Sequence, residues 1–395
     1  MNSPNAIAAR LLPFTLLVTA LTGCRPHEFP QYPPNYREYA YVTNGGSDTV
    51  SVFDVVNLRL DREIAVGKDP VAVAVSLTRN EVYVVNEGAA AGQNGAPGSV
   101  TVINAENNTV AATIPVQRKP VSIEVDPAGN FAYVANSGSN TVSILDLKAR
   151  RAVETVEAGE EPVAARISPD GKSLVVADLR GNSATILNPA SGPLAGKVRA
   201  VFADCPGASD VAILPDSSKA FLACSAGHQL MAIGLAQTKV MPAQADRLEA
   251  LLDVGRGPAQ LALKPDGGEV FSLNSLADSV SEVDTSTDDV VGSYVIGENP
   301  LRGLVSADNA LLYVANFRSQ YVTVYAINES RRAGSIHVGD GPLALALSKS
   351  GYLLFAVDAR SADVAVVRTG SSSLFTLLPT GRAPNAIAIK AFKLP

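Results

Sequence analysis

The sequence predicts an all-β fold in which one short unit is repeated around a closed ring. Three observations support this prediction. The stretch YAYVTNGGSDTVSVFD at 39–54 returns as FAYVANSGSNTVSILD at 131–146, with ten of sixteen positions identical. A proline recurs with a spacing near 42 residues. The apolar runs between these prolines alternate with a period of two residues, which is typical of strands and not of helices.

The recurring proline, called the marker proline below, opens each unit. Its positions are Pro70, Pro120, Pro162, Pro206, Pro258, Pro300, Pro342 and Pro384, with intervals of 50, 42, 44, 52, 42, 42 and 42 residues. A period near 42 residues with four short strands is typical of a β-propeller blade. In the unit that starts at Pro120, PVSIEV is the innermost strand, followed outward by FAYVAN, TVSILD and AVETVEAG.

Two counts agree on eight blades. Eight runs have the character of a second strand, namely YAYVTN, VYVVN, FAYVAN, LVVAD, FLAC, VFSLN, LYVAN and LFAVD. Eight strands also follow the marker prolines. The propeller begins on a second strand and ends on a first strand, PNAIAIK. We therefore expect the C-terminal strand to complete the opening blade and close the ring, which leaves no unpaired inner edge.

An asparagine or aspartate ends most of the second strands. These residues are Asn44, Asn86, Asn136, Asp178, Asn274, Asn316 and Asp358. Side chains of this type hydrogen-bond nearby backbone in turns. We expect each of them to close a turn on its own backbone, which is a structural role and not a catalytic one.

These residues resemble the YVTN-type β-propeller repeat family. The motif YVTN stands at 41–44, and YVVN and two copies of YVAN follow later. The resemblance covers residues 39–390 and extends to the lactonase-like propellers, which usually have seven blades, so seven is the alternative to our count of eight. It implies the fold but no single activity, because relatives include lactonases, lyases and haem-binding propellers.

The N-terminus has the parts of a bacterial lipoprotein signal peptide. The apolar run at 11–21 is too short for a membrane-spanning helix, which needs roughly 20 residues. Leu-Thr-Gly-Cys at 21–24 resembles a lipobox, in which the Cys24 thiol receives a diacylglycerol; an ordinary signal peptide with a chance cysteine is the alternative. The proline-rich segment that follows is typical of a semi-rigid tether. The predicted organisation is a signal peptide at 1–23, a tether at 24–38 and a propeller at 39–390.

The expected location is the bacterial cell envelope, with the propeller facing the periplasm or the cell exterior. Arg25 is not the aspartate that retains such lipoproteins at the inner membrane, so the sequence favours the outer membrane. The net charge of −6 becomes −7 when Arg10 leaves with the signal peptide. An acidic chain without a basic stripe argues against nucleic-acid binding. The expected partners are the membrane, through Cys24, and an unknown protein or a small anionic ligand.

The innermost strands contain the best candidate for a ligand site. Four residues past the marker proline most blades have alanine, which suits the crowded axis. Three consecutive blades depart from this pattern with Glu124, Arg166 and Asp210. Two residues past the proline, Gln260 and Arg302 also intrude. Because charges near the axis must be paired or face channel water, two interpretations stay open: an ionic bridge that ties three blades together, and a polar pocket for a small anionic or hydroxylated ligand.

A second candidate region is the face of the ring on which the marker prolines lie. Its loops carry Lys68, Arg118, Lys119, Arg180, Arg256, Arg318, Arg360 and Arg382. We include Arg180, Arg318 and Arg360 among the candidate ligand-binding residues, because a cationic face can steer an anionic partner. Acidic side chains share this face, so a mixed solvated surface is the alternative.

The sequence favours a non-enzymatic binding or scaffold module. It has no Cys-x-x-Cys-His for haem, and a single histidine, His228, lies in a loop on the marker-proline face. One histidine does not make a zinc site, and no Gly-x-Ser-x-Gly supports a catalytic triad. We expect no cofactor and no metal site. The alternative is a lactonase-like hydrolase or lyase that uses Glu124 and Asp210, with His228 or a divalent cation in the channel.

Two cysteines remain when Cys24 is lipidated. An even number of thiols in an oxidising compartment favours a bridge, here Cys205–Cys224. Cys205 precedes the inner strand of the fifth blade, and Cys224 ends the neighbouring strand. Cys224 would pair more naturally with Ser209, so the loop at Pro206 would have to fold back. The sequence predicts a disulfide that holds this irregular blade together.

Overall fold

Each of the eight repeats forms one four-stranded sheet. The computed structural model describes residues 30–89, 95–189, 195–236 and 244–394. The predicted signal peptide, Cys24 and the first part of the tether lie outside these residues. Within the described residues, the all-β fold with eight four-stranded blades is confirmed, and the alternative of seven blades is wrong.

The blades are numbered in chain order, and their strands from the channel outward as inner, second, third and outer. In blades 1 to 4 these strands are Pro384–Lys393, Tyr36–Asn44, Thr49–Asp54 and Arg59–Ala65; Pro70–Val75, Glu81–Asn86, Pro97–Asn104 and Thr109–Arg118; Pro120–Val125, Phe131–Asn136, Thr141–Asp146 and Arg151–Glu157; Pro162–Ile167, Leu174–Asp178, Ser183–Leu187 and Val198–Phe202. In blades 5 to 8 they are Ala208–Ile213, Lys219–Cys224, Gln229–Gly234 and Arg247–Asp253; Pro258–Leu263, Glu269–Asn274, Ser279–Asp284 and Asp289–Val295; Pro300–Val305, Leu311–Asn316, Tyr321–Ala326 and Arg331–His337; Pro342–Leu347, Leu353–Asp358, Asp363–Arg368 and Ser373–Pro379. Short 3-10 helices occupy Gly45–Ser47 and Ile327–Glu329, and among the described residues no helix is long and apolar enough to cross a membrane.

The C-terminal strand closes the ring, as predicted. It pairs antiparallel with the second strand of blade 1 and packs between the inner strands of blades 8 and 2. The pairing is longer than expected, because Tyr36 pairs with Lys393 and Glu38 with Ala391. The propeller therefore begins inside the predicted tether and extends beyond the predicted end at residue 390.

The hydrophobic core is divided into eight clusters, one between each pair of adjacent blades. In seven blades a buried aromatic ring stands three residues before the end of the second strand: Tyr41, Tyr83, Tyr133, Phe221, Phe271, Tyr313 and Phe355. Blade 4 has the smaller Val175 at this position, and Val175 pairs with Arg166 of the inner strand. The blade that brings an arginine to the channel thus has a small partner beside it.

A contact that we call the latch holds the end of the second strand in six blades. A glycine three residues before the marker proline packs against the asparagine or aspartate that ends the second strand, in the pairs Gly381–Asn44, Gly67–Asn86, Gly159–Asp178, Gly255–Asn274, Gly297–Asn316 and Gly339–Asp358. A Cβ on any of these glycines would lie 2.5–2.8 Å from the partner side chain, so only glycine fits. The asparagine amides donate to the third strand, as Asn274 does to Ser279 at 3.1 Å and to Ser281 at 3.0 Å. These bonds tie two strands together, where the sequence suggested turns closed on the residue's own backbone.

In blade 5 a disulfide replaces the latch. Cys205 and Cys224 are bonded, with their Cα atoms 4.8 Å apart, and both are fully buried. Cys224 pairs with Ala208, not with Ser209 as the spacing suggested. Ala208 occupies the place of the marker proline, and Pro206 lies two residues earlier in the loop. Cys205 and Cys224 therefore stand where the other blades have their glycine and their asparagine or aspartate.

Candidate central-channel site

The channel contains a cavity of about 320 Å³. Its lining comes from the inner strands of seven blades, mostly from the half of each strand next to the marker prolines. Ligand sites for small molecules have volumes of roughly 300–1,000 Å³. The cavity is therefore large enough for a small ligand.

Three side chains from consecutive blades form an ionic bridge, called the acid bridge below. Arg166 and Asp210 line the cavity, and Glu124 lies in the channel beside Arg166, outside the lining. The Arg166 guanidinium lies 3.5 Å from a carboxylate oxygen of Glu124 and 3.5 Å from one of Asp210. The side chain of Asp210 is 7% exposed, whereas those of Arg166 and Glu124 are 32% and 35% exposed. The pairing expected for Arg166 is thus present, and two carboxylates share one guanidinium.

The surrounding protein shifts the pKa values of two residues of the acid bridge, Glu124 and Arg166. Burial raises the pKa of Glu124 above its usual range; Arg166 opposes this shift and Asp210 adds to it. Burial alone would lower the pKa of Arg166, but the two carboxylates raise it above its usual value. A glutamic acid that is easily protonated therefore lies beside an arginine that stays charged.

Asp210 lies one level nearer to the marker-proline face than its spacing from Pro206 suggested. It occupies the same register position as Gln260 and Arg302 in their strands. The expected position, four residues past the marker, belongs to an alanine in this blade because the strand starts at Ala208. Asp210 nevertheless reaches Arg166 from the neighbouring level.

Two of the candidate residues tie one blade to the next. Asp210 accepts a hydrogen bond from the Leu261 backbone N–H at 3.1 Å. Gln260 accepts one from the Gly303 backbone N–H at 2.7 Å. These bonds run from blade 5 to blade 6 and from blade 6 to blade 7. They orient the carboxylate of Asp210, and they engage Gln260 within the ring.

Arg302 differs from the other charged residues of the cavity. Within the described residues it has no carboxylate within 4.0 Å and no side-chain hydrogen bond. Its side chain is exposed to the channel. The surrounding ring displaces part of the bulk water around it, and this desolvation lowers the pKa of Arg302; the charge of Asp210 opposes that shift, while Arg166 adds to it. The cavity wall therefore contains a channel-facing cation without a partner among the described residues.

The remaining wall is mainly apolar, although Ser122, Ser209 and Asn385 also line it. At the level of Arg302, blades 8, 1 and 2 contribute Ala344, Ala386 and Ala72 to the lining. Blade 3 contributes Ser122, whose buried hydroxyl has no hydrogen-bond partner in the described part of the chain. Sequence reasoning missed Ser122, although its position two residues past the marker proline was the available signal.

The candidate arginines of the marker-proline face lie apart from the cavity lining. Arg180 pairs with Glu161 at 2.7 Å, and Arg360 with Asp340 at 3.6 Å. Arg318 is exposed in the loop after the second strand of blade 7. The cationic face of the sequence analysis is therefore a mixed surface in which acidic side chains offset at least two of the three arginines.

His228 also lies apart from Glu124 and Asp210. Its Nδ1 atom is 3.2 Å from the backbone nitrogen of Gly257, which donates to it, and 3.1 Å from the carbonyl oxygen of Ser225. The side chain thus joins the loops of blades 5 and 6. The structure does not bring the three residues of the catalytic alternative together.

Comparisons with known proteins agree with this architecture. The family described as "Lactonase, 7-bladed beta-propeller" matches residues 25–213. No curated protein matches the sequence. Among solved structures, the dihydro-heme d1 dehydrogenase NirN, in complex with DHE, has a TM-score of 0.72 at 16% identity, covering 94% of this chain and 78% of that chain.

Two further structures have similar folds. AztD from Citrobacter koseri has a TM-score of 0.67 at 14% identity, over 91% of this chain and 99% of that chain. A putative 6-phosphogluconolactonase from Bacteroides fragilis has a TM-score of 0.61 at 14% identity, over 92% and 100%. At these identities the likeness is one of fold alone. Together with the eight repeated sheets and the family match at 25–213, it shows that the chain has a β-propeller fold similar to that of the lactonases, here with eight blades.

Proposed function

We propose that this protein is a non-enzymatic binding module of the bacterial cell envelope, anchored by a lipid on Cys24, and that its central cavity takes a small anionic ligand. The observation that supports this most directly is Arg302. This cation is exposed to the channel, lines the cavity and has no ion pair among the described residues. An anionic ligand would supply the missing partner.

The physical argument is the chemistry of a free guanidinium in a concave site. The channel wall displaces part of the bulk water around Arg302, and an opposite charge compensates for the lost hydration. Guanidinium groups bind carboxylates with two parallel hydrogen bonds. Arg302 therefore suits a carboxylate-bearing ligand better than it suits the unliganded fold.

The same geometry gives less support to catalysis. Both carboxylates of the acid bridge are paired with Arg166, and His228 is held in a loop outside the cavity lining. A hydrolase needs an acid and a base placed around one reacting bond. The acid bridge is explained more simply as a structural contact that joins blades 3, 4 and 5. It also gives one side of the cavity a negative charge.

Calorimetry with the mature protein and a panel of small carboxylates tests the proposal. We expect saturable binding that Arg302→Gln weakens at least tenfold. Arg331→Gln is a matched control, because Arg331 lies on the outer strand of the same blade, far from the channel. Equal binding by the wild type and Arg302→Gln would contradict an anion site at this residue.

The lipid anchor is tested by expressing the full chain in bacteria with a radiolabelled fatty acid. We expect label on the wild type and none on Cys24→Ser, with the wild type in the membrane fraction, mainly the outer membrane. Equal membrane association of both proteins, without label, would contradict a lipid on Cys24.

One observation favours a second candidate function, a lactonase-like hydrolase or lyase. The raised pKa of Glu124 suits a general acid. Turnover of simple lactones, with and without a divalent cation, is the assay. Activity that Glu124→Gln abolishes would support the enzyme over the binding module, and the absence of turnover would favour the binding module.

A further inference from the structure

The charges of the cavity are separated across the ring. Blades 3 to 5 contribute the acid bridge, of which Arg166 and Asp210 line the cavity and Glu124 lies beside it; the bridge has a net charge of −1 when Glu124 is ionised. Arg302 stands on blade 7, which lies opposite blade 3 in a closed ring of eight. The cavity is therefore dipolar, with a negative side and a positive side.

A third part of the wall is apolar. Ala72, Ala344 and Ala386 line it from three adjacent blades, and Val71 and Ile387 flank them. These side chains are small, so the space beside them is open to a short aliphatic group. The wall thus presents three kinds of contact to one cavity of about 320 Å³.

We infer that the cavity takes a zwitterion, an α-amino acid with a short aliphatic side chain. This inference rests on the proposed function, in which Arg302 binds the anionic group of the ligand. The ligand carboxylate pairs with Arg302, its ammonium donates to the acid bridge, and its side chain packs against Ala72, Ala344 and Ala386.

Charge balance favours a zwitterion over a simple carboxylate or a simple amine. A simple carboxylate neutralises Arg302 but leaves the excess negative charge of the acid bridge uncompensated. An amine neutralises the acid bridge but leaves Arg302 alone. A zwitterion satisfies both sides at once, and in an enclosed cavity each paired charge is worth more than it would be in water.

Three probes of nearly equal size separate these cases: L-valine, 3-methylbutanoate, which lacks the ammonium, and 2-methylpropylamine, which lacks the carboxylate. Calorimetry with the mature protein should show valine binding at least tenfold more tightly than either analogue. Glu124→Gln should abolish this preference for valine over 3-methylbutanoate. Arg302→Gln should weaken the binding of valine at least tenfold. Arg302→Lys, which keeps the charge, should lose less affinity than Arg302→Gln.

The outcomes distinguish this inference from the proposal on which it rests. If 3-methylbutanoate binds as tightly as valine and both depend on Arg302, the anion site stands and the zwitterion is wrong. If Arg302→Gln changes the affinity for neither probe, both ideas are wrong. Arg331→Gln, with circular dichroism of every variant, excludes loss of fold as the cause of weaker binding.

Discussion

At the scale of single residues, blade 8 contains an unusual proton site. Asp358 ends the second strand where most blades have asparagine, and the third strand offers Asp363 where others have a hydroxyl. The Oδ1 atoms of both residues are buried, and no donor among the described residues reaches them. A proton shared by the two carboxyl groups would supply the missing hydrogen bond. Burial, with the hydrogen bond and charge of Asp363, raises the pKa of Asp358 to about 8.

The first prediction concerns stability against pH. Because the pKa of Asp358 is higher in the folded protein than in the unfolded chain, the folded state binds the proton more tightly between pH 4 and 8. Stability from this group is complete at low pH and is lost as pH rises toward 8, at up to roughly 1.4 kcal/mol per pH unit. Asp358→Asn should remove this decline in urea unfolding measured at pH 6, 7 and 8.

Asp178 of blade 4 provides the matched control. Its carboxylate accepts hydrogen bonds from Ser183 and Thr185, and burial raises its pKa only to about 6. The free energy of unfolding of Asp178→Asn should therefore decline between pH 6 and 8 in parallel with that of the wild type. Parallel curves for the wild type and Asp358→Asn would show that Asp358 does not hold the proton.

The second prediction concerns Arg302. Since the described fold offers this cation no partner, Arg302→Gln should leave the unliganded protein as stable as the wild type or stabilise it, by about 1 kcal/mol or less because the channel still admits water. Thermal unfolding without ligand is the measurement. A clear loss of stability would mean that Arg302 supports the fold, and it would weaken the argument for a ligand.

At the scale of one element, blade 5 shows how the repeat tolerates an exception. The Cys205–Cys224 bond connects the same two positions as the glycine latch of six other blades. The third strand of blade 5 offers Gln229 and Met231 where other blades offer hydroxyls. An asparagine in place of Cys224 would therefore lack the acceptors that it has elsewhere, which explains why a covalent bond is useful in this blade.

The third prediction follows from that comparison. Cys224→Ser should destabilise the oxidised protein by about 3 kcal/mol, as expected for a bond that closes a loop of this length. The double variant Cys205→Gly/Cys224→Asn, which copies the latch, should recover less than half of the loss. Adding Gln229→Ser should recover more, because it restores a hydroxyl acceptor at a half-buried position that pairs with residue 224. Denaturant unfolding of the three variants checks the order, and a double variant as stable as the wild type would refute it.

At the scale of the whole molecule, closure depends on a strand contributed by the far end of the chain. The inner strand of blade 1 is Pro384–Lys393, and it pairs with Tyr36–Asn44. Next to this junction, Asn385 donates to the carbonyl of Pro70 in blade 2 at 2.9 Å. Lys390 donates to the carbonyl of Ser76, also in blade 2, so the ring closes through main-chain pairing and at least two inter-blade side-chain bonds.

The fourth prediction is the effect of removing that strand. A chain that ends at Pro379 should expose the unpaired edge of Tyr36–Asn44 and self-associate, because an open edge is a template for pairing with another chain. Size-exclusion chromatography should show oligomers, and a synthetic peptide of residues 384–393 should restore the monomer. A truncated protein that remains monomeric and as stable as the full chain would show that closure contributes little.

The sequence by itself determined the repeat, the strands and the number of blades. The alternation of apolar residues, the marker prolines and the turn residues act within a few positions of one another, so each blade encodes its own hairpins. The prediction of eight blades followed from these local patterns, and so did the prediction that PNAIAIK closes the ring. The prediction that Arg166 is paired needed only the rule that charges near the propeller axis are paired or face channel water.

Only the tertiary structure decided which side chains share the cavity. Asp210 lies one level away from its predicted position because its strand starts at Ala208, after the disulfide loop, and not at Pro206. Ser122 and Arg302 belong to blades on opposite sides of the ring, and no local pattern shows that they line one cavity. The physical reason is distance along the chain: contacts across the channel depend on the register of separate blades, which the alternation within each blade does not encode.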